Sequence, residues 1–315
     1  MKIYYSLKEF EGAKNAVVTT GTFDGVHFGH QKIITRMKEI ASTISGETVI
    51  ISFFPHPRMI LHPEDQSLKL LNTPSEKIEA LQKLGIDHLL LIPFSRDFSN
   101  MRSSDFVQSV LVETLKTNKL VIGYNHHFGK DREGGFLSLV KMGPELGFEI
   151  EEIPEQDINT MAVSSTKIRK AIATGDIKTA NLYLGYPYSL EGTVIKGDQI
   201  GRTIGFPTAN ILLGDPNKLI PGSGIYAAWT YVLDKRYPSM LYIGTRPVLH
   251  KQSLVIEVNI LDFSEDIYGK PIRVELLEFI RGDAKLNGLE ELIQQINLDK
   301  IKIQEFFKKI TFLTP

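Results

Sequence analysis

The hydrophobic pattern of this chain changes once, near residue 185, and that change limits the folds open to it. Before this point, short β-rich runs alternate with amphipathic helical patterns, which predicts a parallel sheet covered by helices. After it, glycine and proline interrupt a series of β-rich runs, which predicts an antiparallel barrel. A length of 315 residues also exceeds one core of typical size. We therefore predict two domains, residues 1–184 and residues 185–315.

Local patterns predict where the strands and helices lie. In the first region, β-rich runs predict strands at residues 16–20, 48–54, 88–92 and 119–123. Amphipathic patterns predict helices from about residue 30 and at residues 74–84, 105–115, 166–173 and 176–184. Thr73 and Glu76 form a capping box before the second of these helices. In the second region, β-rich runs at 188–195, 225–233, 240–243, 254–261 and 272–280 precede a helix over 289–307.

Composition excludes several classes of function. The chain has no cysteine, which rules out disulfides, thiolate zinc sites and cysteine nucleophiles. A net charge of −1 argues against a broad nucleic-acid surface. No apolar run approaches the roughly 20 residues that cross a bilayer, and the start lacks the apolar core of a signal peptide. We expect a cytoplasmic protein with no membrane or nucleic-acid partner, as a monomer or with weak self-association.

The segment Gly21–His30 lies between the first predicted strand and helix, where open α/β sheets bind phosphates. His27 and His30 flank Gly29 at the helix N-terminus and could donate hydrogen bonds to phosphate oxygens. Donors at this point would stabilise the charge that grows when an oxyanion attacks the α-phosphorus of a nucleoside triphosphate. The segment therefore predicts nucleotidyl transfer, a reaction that needs no nucleophilic side chain.

A second segment, Val163–Arg169, also opens a helix. Hydroxyl groups stand at its cap, and Arg169 follows one turn later. This arrangement could hold the pyrophosphate that leaves in such a reaction.

A third segment, residues 192–210, is rich in glycine but matches no Walker pattern. Glycine-rich turns can direct several backbone amides at one anion. Thr208 and Asn210 place two hard oxygen ligands on one strand face, which suits a hydrated Mg²⁺ ion. The segment alone also fits a hairpin without a ligand.

Together these segments resemble the bacterial bifunctional riboflavin kinase/FAD synthetase family. Its FMN adenylyltransferase module carries GxFDGxHxGH and SSTxIR, and its riboflavin kinase module carries GxxxGxxxGFPTAN, then Ex(H/N) and YG. Here the kinase phrases fall at residues 197–210, 257–259 and 268–269. The resemblance implies a Rossmann-like nucleotidyltransferase domain with a parallel sheet, followed by a six-stranded antiparallel β-barrel riboflavin kinase domain with a closing helix.

The family's chemistry implies two reactions and their ligands. The C-terminal module would convert riboflavin and ATP to FMN and ADP, and the N-terminal module would convert FMN and ATP to FAD and pyrophosphate, both with Mg²⁺. The implied catalytic residues are His27, His30, Arg169 and Glu257, with Glu257 as general base on the ribityl hydroxyl. Thr208 and Asn210 would hold the metal and its ATP.

The resemblance also assigns binding residues. Those for nucleotide and phosphate are Gly21, Phe23, Asp24, Gly29, Asn125, Ser165, Thr166, Gly197, Gly201 and Gly205. Those for flavin are Phe54, Pro55, His56, Pro57, Phe128 and Arg281. The chain departs from the family pattern at four positions, which are Asn125, His126, Val248 and Leu286.

Other interpretations stay open on the residues alone. The histidine segment is shared by adenylyl- and cytidylyltransferases that act on other phosphates, although these do not need a kinase-like half. Four histidines could form a zinc site; these are His27, His30, His126 and His127. A flavin-binding module without activity and a nucleic-acid-binding barrel are the remaining alternatives. Phe54 and Phe128 could be core residues, and Glu257 could be an outward charge on its strand.

Overall fold

The structure, a computed structural model, describes residues 1–124, 128–130, 134–154, 163–197, 199–248, 251–284 and 288–313. The chain forms two compact units, Met1–Ser165 and Thr166–Pro315. The predicted domain division between residues 184 and 185 stays a prediction.

The first unit is built on a six-stranded parallel sheet with strand order β1-β4-β3-β2-β5-β6. Its strands are β1 (Lys2–Tyr4), β2 (Val17–Thr20), β3 (Thr48–Phe54), β4 (His88–Pro93), β5 (Lys119–Gly123) and β6 (Glu149–Ile153). Its helices are α1 (Phe28–Thr43), α2 (Pro57–Leu61), α3 (Pro74–Lys83), α4 (Arg96–Ser99), α5 (Ser103–Phe106) and α6 (Phe136–Leu146). A 3₁₀ turn (Leu7–Glu9) and a π-helix (Val107–Thr114) complete the described elements.

Helices cover both faces of this sheet, as its buried strands require. Val17 of β2 and Ile50 of β3 pack with residues of α1 and α3, for example Met37 and Leu81. The alternate strand residues face the opposite side and pack with Phe106, Val110 and Leu139. The sheet therefore stays fixed while its carboxyl-end loops are free to carry function.

The second unit begins with helices α7 (Ser165–Ala173) and α8 (Ile177–Leu184), the first of which starts on the last residue of unit one. A closed antiparallel barrel follows, with order β10-β11-β8-β7-β12-β9. Its strands are β7 (Ser189–Ile195), β8 (Ala209–Leu213), β9 (Gly224–Val232), β10 (Lys235–Val248), β11 (Lys251–Ile260) and β12 (Pro271–Arg281). A short helix, α9 (Ile200–Thr203), lies between β7 and β8, and α10 (Leu289–Leu313) follows the barrel.

The closing helix α10 packs on the outside of the barrel. Ile303 and Phe307 join a buried cluster with Ile225 and Ala227 of β9, and the Phe307 and Trp229 rings lie 4.5 Å apart. Strand β9 is thus buried on both faces, which explains its nearly continuous apolar sequence.

The predicted fold class is confirmed, with a parallel sheet in the first region and a closed six-stranded barrel with a closing helix in the second. One predicted helix has a different hydrogen-bond pattern from an α-helix. Over 105–115, the chain forms the end of α5 and then a π-helix, in which the Leu115 amide donates to the Val110 carbonyl at 2.9 Å.

Several elements were missed by the sequence patterns. Strand β1 has three residues, β6 has three acidic and two apolar residues at a sheet edge, and α6 contains Pro144. Strand β8 begins at the end of the glycine-rich segment, where its short apolar run follows Pro207 and Thr208.

Candidate functional site

The Gly21–His30 loop leaves the carboxyl end of β2, at the centre of the parallel sheet. From β2 the chain continues to β3 on one side, whereas β5 lies on the other side of β2. The connections after β2 and β5 therefore run in opposite directions. Such a switch point leaves a crevice at the carboxyl ends of the strands, where open α/β sheets bind ligands.

This loop turns tightly to place its histidines. Phe23, Gly25 and Val26 adopt φ values of 47°, 87° and 35° in the left-handed region. The turn buries the side chains of Phe23 and Val26 in the core under α1. His27 then stands at the N-cap of α1, at the positive end of that helix.

The two histidines form a stacked pair. Their ring centroids are 3.7 Å apart with an interplanar angle of 14°, and Phe23 lies 4.9 Å from His30. Burial lowers the pKa of His30 well below its ordinary value, and the nearby His27 and Lys77 lower it further. Nδ1 of His30 is buried and has no hydrogen-bond partner among the described residues. His30 is thus a neutral ring, stacked on His27 at a helix N-terminus.

The Asp24 side chain binds main-chain amide groups. Its buried carboxylate accepts hydrogen bonds from the amide of Leu71, at 3.0 and 3.3 Å, and from the amide of Asn72, at 3.2 Å. These bonds fasten the histidine loop to the segment before α3. Asp24 therefore shapes the site, and its predicted place among the nucleotide-binding residues stays a prediction.

Ser165 of the second motif contacts the first motif within the same unit. The hydroxyl group of Ser165 donates to the backbone carbonyl of Asp24 at 3.0 Å. Thr166 and Arg169 follow on α7, where Thr166 is exposed and Arg169 is half-buried. Their predicted contacts with phosphates stay predictions.

A pocket opens beside the histidine loop at the ends of β3 and β4. It brings two predicted flavin residues, Phe54 and His56, together with Asp24. The pocket is lined by Asp24, Phe53, Phe54, His56, Leu70, Asn72, Pro74, Lys77 and Leu91. Phe54 is 38% exposed at the end of β3, and Pro57 begins α2 with His56 as its N-cap.

Sequence reasoning missed Lys77, a buried lysine in this pocket. Its ammonium group donates to the Thr22 carbonyl at 2.7 Å and to Oγ of Ser52 at 3.2 Å. Burial lowers the pKa of Lys77 to about 8, while the nearby Asp24 opposes the shift. The sequence did hold a signal, because Lys77 shares the apolar face of α3 with Leu81.

The loop after β5 is only partly described. Asn125 and His126, like His127, lie outside the described residues. The Phe128 ring packs 5.6 Å from Phe106 and joins the buried cluster on that side of the sheet. Its predicted flavin role stays a prediction beside this packing role. Within the described parts of the chain, no group of three His, Asp or Glu residues could hold a metal ion.

In the second unit, strand pairing brings the predicted kinase residues together. Glu257 of β11 lies directly opposite Asn210 of β8, and both face the same side of the sheet. A Cβ atom on Gly197 would lie 2.3 Å from Nδ2 of Asn210, so only glycine leaves the Asn210 amide where it is. Glu257 is 6% exposed.

The glycine-rich segment turns back tightly before β8. The Phe206 amide donates to the Gly201 carbonyl at 2.7 Å, and Gly205 has a φ of 84°. Asn259 donates from Nδ2 to the Pro207 carbonyl at 2.7 Å. This bond ties the residue before Thr208 to β11, the strand that carries Glu257.

Arg281 binds the closing helix. Its guanidinium group donates to both carboxylate oxygens of the fully buried Asp299, at 2.7–3.0 Å. This pair joins the end of β12 to α10. The predicted flavin contact of Arg281 stays a prediction, the side chain of Val248 is not described, and Leu286 lies outside the described residues.

Comparisons with known proteins agree with the two-unit organisation. Residues 9–167 match the family model described as FAD synthetase, and residues 184–307 match the one described as riboflavin kinase. No helix in the described parts of the chain is long and apolar enough to span a membrane.

Curated relatives match over nearly the whole chain. A bifunctional riboflavin kinase/FMN adenylyltransferase of Listeria monocytogenes is 39% identical, covering 94% of this chain and 94% of its own length. The Bacillus subtilis protein of that name is 34% identical, covering 98% and 96%. A crystal structure described as a macrolide-efflux protein from Streptococcus pneumoniae matches with a TM-score of 0.87 and 28% identity, covering 96% and 98%. On its two family matches and its full-length relatives, the chain belongs to the bifunctional riboflavin kinase/FMN adenylyltransferase family.

Proposed function

We propose that the two matched regions of this riboflavin kinase and FMN adenylyltransferase carry one reaction each. Residues 184–307 phosphorylate riboflavin with ATP, and residues 9–167 transfer the adenylyl group of a second ATP to the FMN formed. The observation that carries the second assignment is the stacked pair of His27 and His30 at the sheet switch point.

For adenylyl transfer, a phosphate oxygen of FMN attacks the α-phosphorus of ATP. The new phosphorus–oxygen bond forms as the bond to the β-phosphate oxygen breaks, and pyrophosphate leaves. His27 and His30 donate ring N–H groups to the phosphate oxygens on which charge grows. Ser165, Thr166 and Arg169 hold the leaving pyrophosphate.

Other residues of this unit hold the two substrates in line. The backbone at Gly21, Phe23 and Gly29 lets the nucleotide approach closely, and Asn125 contacts its nucleoside. The flavin ring of FMN lies against Phe54 and its neighbours, which include Pro55, His56 and Pro57. The pocket between Phe54 and Asp24 supports this placement, since it opens beside the histidine loop.

For riboflavin phosphorylation, Glu257 accepts the proton of the ribityl hydroxyl group. That oxygen attacks the γ-phosphorus of ATP, and ADP leaves. The backbone amides around Gly197, Gly201 and Gly205 cradle the phosphates. The register of Glu257 opposite Asn210 supports this proposal, because the proposed base and the proposed metal ligand are then cross-strand neighbours.

The residues at this site fit Mg²⁺. Thr208 and Asn210 offer hydroxyl and amide oxygens, which are the hard ligands that Mg²⁺ prefers, and the absence of a side chain at Gly197 keeps the Asn210 amide in place. When bound, the ion would neutralise charge on the ATP phosphates. The protein works in the cytoplasm, where ATP and flavins are available, as a monomer or with weak self-association.

A chromatographic product assay with the full-length protein tests the division of roles. With riboflavin, ATP and Mg²⁺, FMN is expected first and FAD later. His30→Ala is expected to lower FAD formation from FMN by about 100-fold or more and to leave FMN formation unchanged. Glu257→Gln is expected to do the reverse, since the amide cannot accept the proton.

Each variant is the control for the other, because the unaffected reaction reports an intact chain. Loss of both reactions in a folded single variant would contradict the two-site assignment. A normal rate of FAD formation in His30→Ala would remove the adenylyl-transfer site from the histidine loop.

A further inference from the structure

Lys77 is a buried charged residue of the first unit that neither the motifs nor the packing explains. It lies on the buried side of α3, is 6% exposed, and lines the pocket that also contains Phe54 and His56. The same helix carries one other lysine, Lys83, which is exposed and pairs with Glu79 at 2.5 Å. A lysine on the apolar face of a helix is costly, so its position calls for a role.

The hydrogen bonds of Lys77 point to the histidine loop. Nζ donates to the carbonyl of Thr22, which belongs to the histidine loop. It also donates to Oγ of Ser52 on β3. Oγ of Ser52 in turn donates to the same Thr22 carbonyl at 3.1 Å. One loop carbonyl is therefore held by two donors from two different elements.

The charge of Lys77 also acts on this loop. The titratable groups around it are Asp24 in the loop, His30 on α1, His56 at the start of α2 and Glu76 on α3 itself. The carboxylate of Asp24 is already engaged by the Leu71 and Asn72 amides. The ammonium group thus lies close enough to His30 to lower the pKa of that ring.

We propose that Lys77 is a positioning residue for adenylyl transfer, which fixes the Thr22 carbonyl and so holds the loop that carries His27 and His30. This inference rests on the proposed placement of adenylyl transfer at the histidine loop. Lys77 acts through the loop and contributes to the rate by keeping the two rings aligned with the reacting phosphate. A misplacement of about 1 Å at such a site can cost about 100-fold in rate.

Steady-state kinetics of FAD formation from FMN and ATP test this role in the full chain. Lys77→Met keeps the aliphatic stem and removes the ammonium group, and it is expected to lower kcat by about 10–100-fold with KM for FMN changed less than about threefold. Lys77→Arg keeps a charge that does not titrate and is expected to restore part of that loss. Lys83→Met is the matched control and should leave both constants unchanged.

The pH profile provides a readout that a purely structural role would not move. Because kcat/KM reports groups of the free enzyme, the wild-type value for ATP is expected to fall as the pH rises through about 8, where Lys77 loses its proton. Lys77→Arg is expected to lack this limb. An unchanged limb in Lys77→Arg would overturn the inference, as would a normal kcat in Lys77→Met.

Two further measurements separate the possible failures. If Lys77→Met does not unfold cooperatively, Ser52→Ala replaces it; this change removes one of the two Lys77 contacts and is expected to lower kcat by about threefold. An unchanged kcat there would also refute the role. If His30→Ala retains FAD formation, the proposed site itself is wrong. If His30→Ala loses FAD formation but Lys77→Met keeps a normal kcat, only the positioning role is rejected.

Discussion

At the scale of single residues, the first unit uses charged side chains to hold backbone in place. Asp24 and Lys77 are both buried. The hydrogen-bond partners of Asp24 include main-chain amides, and those of Lys77 include a main-chain carbonyl and a serine hydroxyl. Both side chains act on the loop between β2 and α1. The glycine and histidine residues of that loop therefore depend on neighbours that lie outside the motif.

The Asp24 carboxylate can be tested by its stability effect. Asp24→Asn keeps one oxygen acceptor for the Leu71 and Asn72 amides, but it removes the charge and places an NH₂ donor against the Leu71 amide, which Oδ2 of Asp24 accepts at 3.3 Å. We expect the free energy of unfolding to fall by about 1–3 kcal/mol. Circular dichroism during urea unfolding measures it, and the exposed Asp97→Asn should change it by less than about 0.5 kcal/mol. An equal effect of both substitutions would contradict the structural role of Asp24.

Burial of Lys77 predicts a pH dependence of stability. Its pKa falls from 10.5 to about 8 on folding, so the unfolded chain binds the proton more tightly. Stability therefore rises with pH between about 8 and 10.5, by at most about 3 kcal/mol from this group. The difference in unfolding free energy between wild type and Lys77→Met should rise with pH across this window. A difference independent of pH would show that Lys77 is solvated.

At the scale of elements, the glycine-rich segment and strand β8 depend on each other. Gly197 packs directly against the Asn210 amide, and the Asn259 side chain holds the Pro207 carbonyl. Strand β8 pairs with β7 on one side and β11 on the other, so it joins the proposed phosphate-binding loop to the proposed base.

Substitution of Gly197 tests this packing. In Gly197→Ala, the new methyl group would lie 2.3 Å from Nδ2 of Asn210 and must displace that amide. We expect FMN formation to fall by about tenfold or more, while FAD formation from added FMN stays normal. Gly214→Ala is the matched control, because nothing lies within 4 Å of the added atom. Equal kinase rates in the two variants would contradict the close approach.

The closing helix is held by the Arg281–Asp299 pair. Asp299 is fully buried, whereas the Arg281 side chain is 20% exposed, so Asp299→Ala leaves a largely buried cation without its partner. We expect a loss of about 2–4 kcal/mol in the unfolding free energy of the second unit. Trp229, the only tryptophan, packs against Phe307 of this helix and reports the transition by fluorescence.

The exposed Glu305 lies on the same helix and provides the control. Glu305→Ala should leave the fluorescence midpoint within the error of wild type. A midpoint shift of the same size in both variants would mean that the ion pair does not hold the helix.

At the scale of the whole molecule, the residues that carry the central step of each proposed reaction lie within one compact unit, and each unit has its own core. The histidine pair, Asp24 and Lys77 all belong to the first unit, and Glu257, Asn210 and Gly197 all belong to the second. The two reactions share FMN as an intermediate, but no residue proposed for one reaction is proposed for the other.

This separation predicts complementation between two defective chains. A mixture of His30→Ala and Glu257→Gln is expected to convert riboflavin to FAD, because FMN released by the first variant can bind to the second. FAD should appear after a lag that shortens as total protein increases, as followed by chromatography. A mixture that makes FMN but no FAD would show that FMN does not pass between chains.

The sequence alone determined the fold class, the order of the two regions and the position of each motif. It could do so because periodicity and capping are local properties: the Thr73–Glu76 capping box and the strand at Thr48–Phe54 lie where the sequence predicted them. It did not predict β1 or β6, since short edge strands gain their stability from neighbours, and it misjudged the helix over 105–115, where hydrogen bonds run to the fifth residue back.

Only the tertiary structure decided how the sites are assembled. Lys77 meets Thr22 across 55 residues of chain, Ser165 meets Asp24 across 141, and Glu257 meets Asn210 through strand register. Such contacts depend on which strands are neighbours and on which side chains are buried, and neither is encoded within a local window of sequence. The motifs thus identified the two chemistries, whereas sheet order and burial selected the residues that hold the motifs in place.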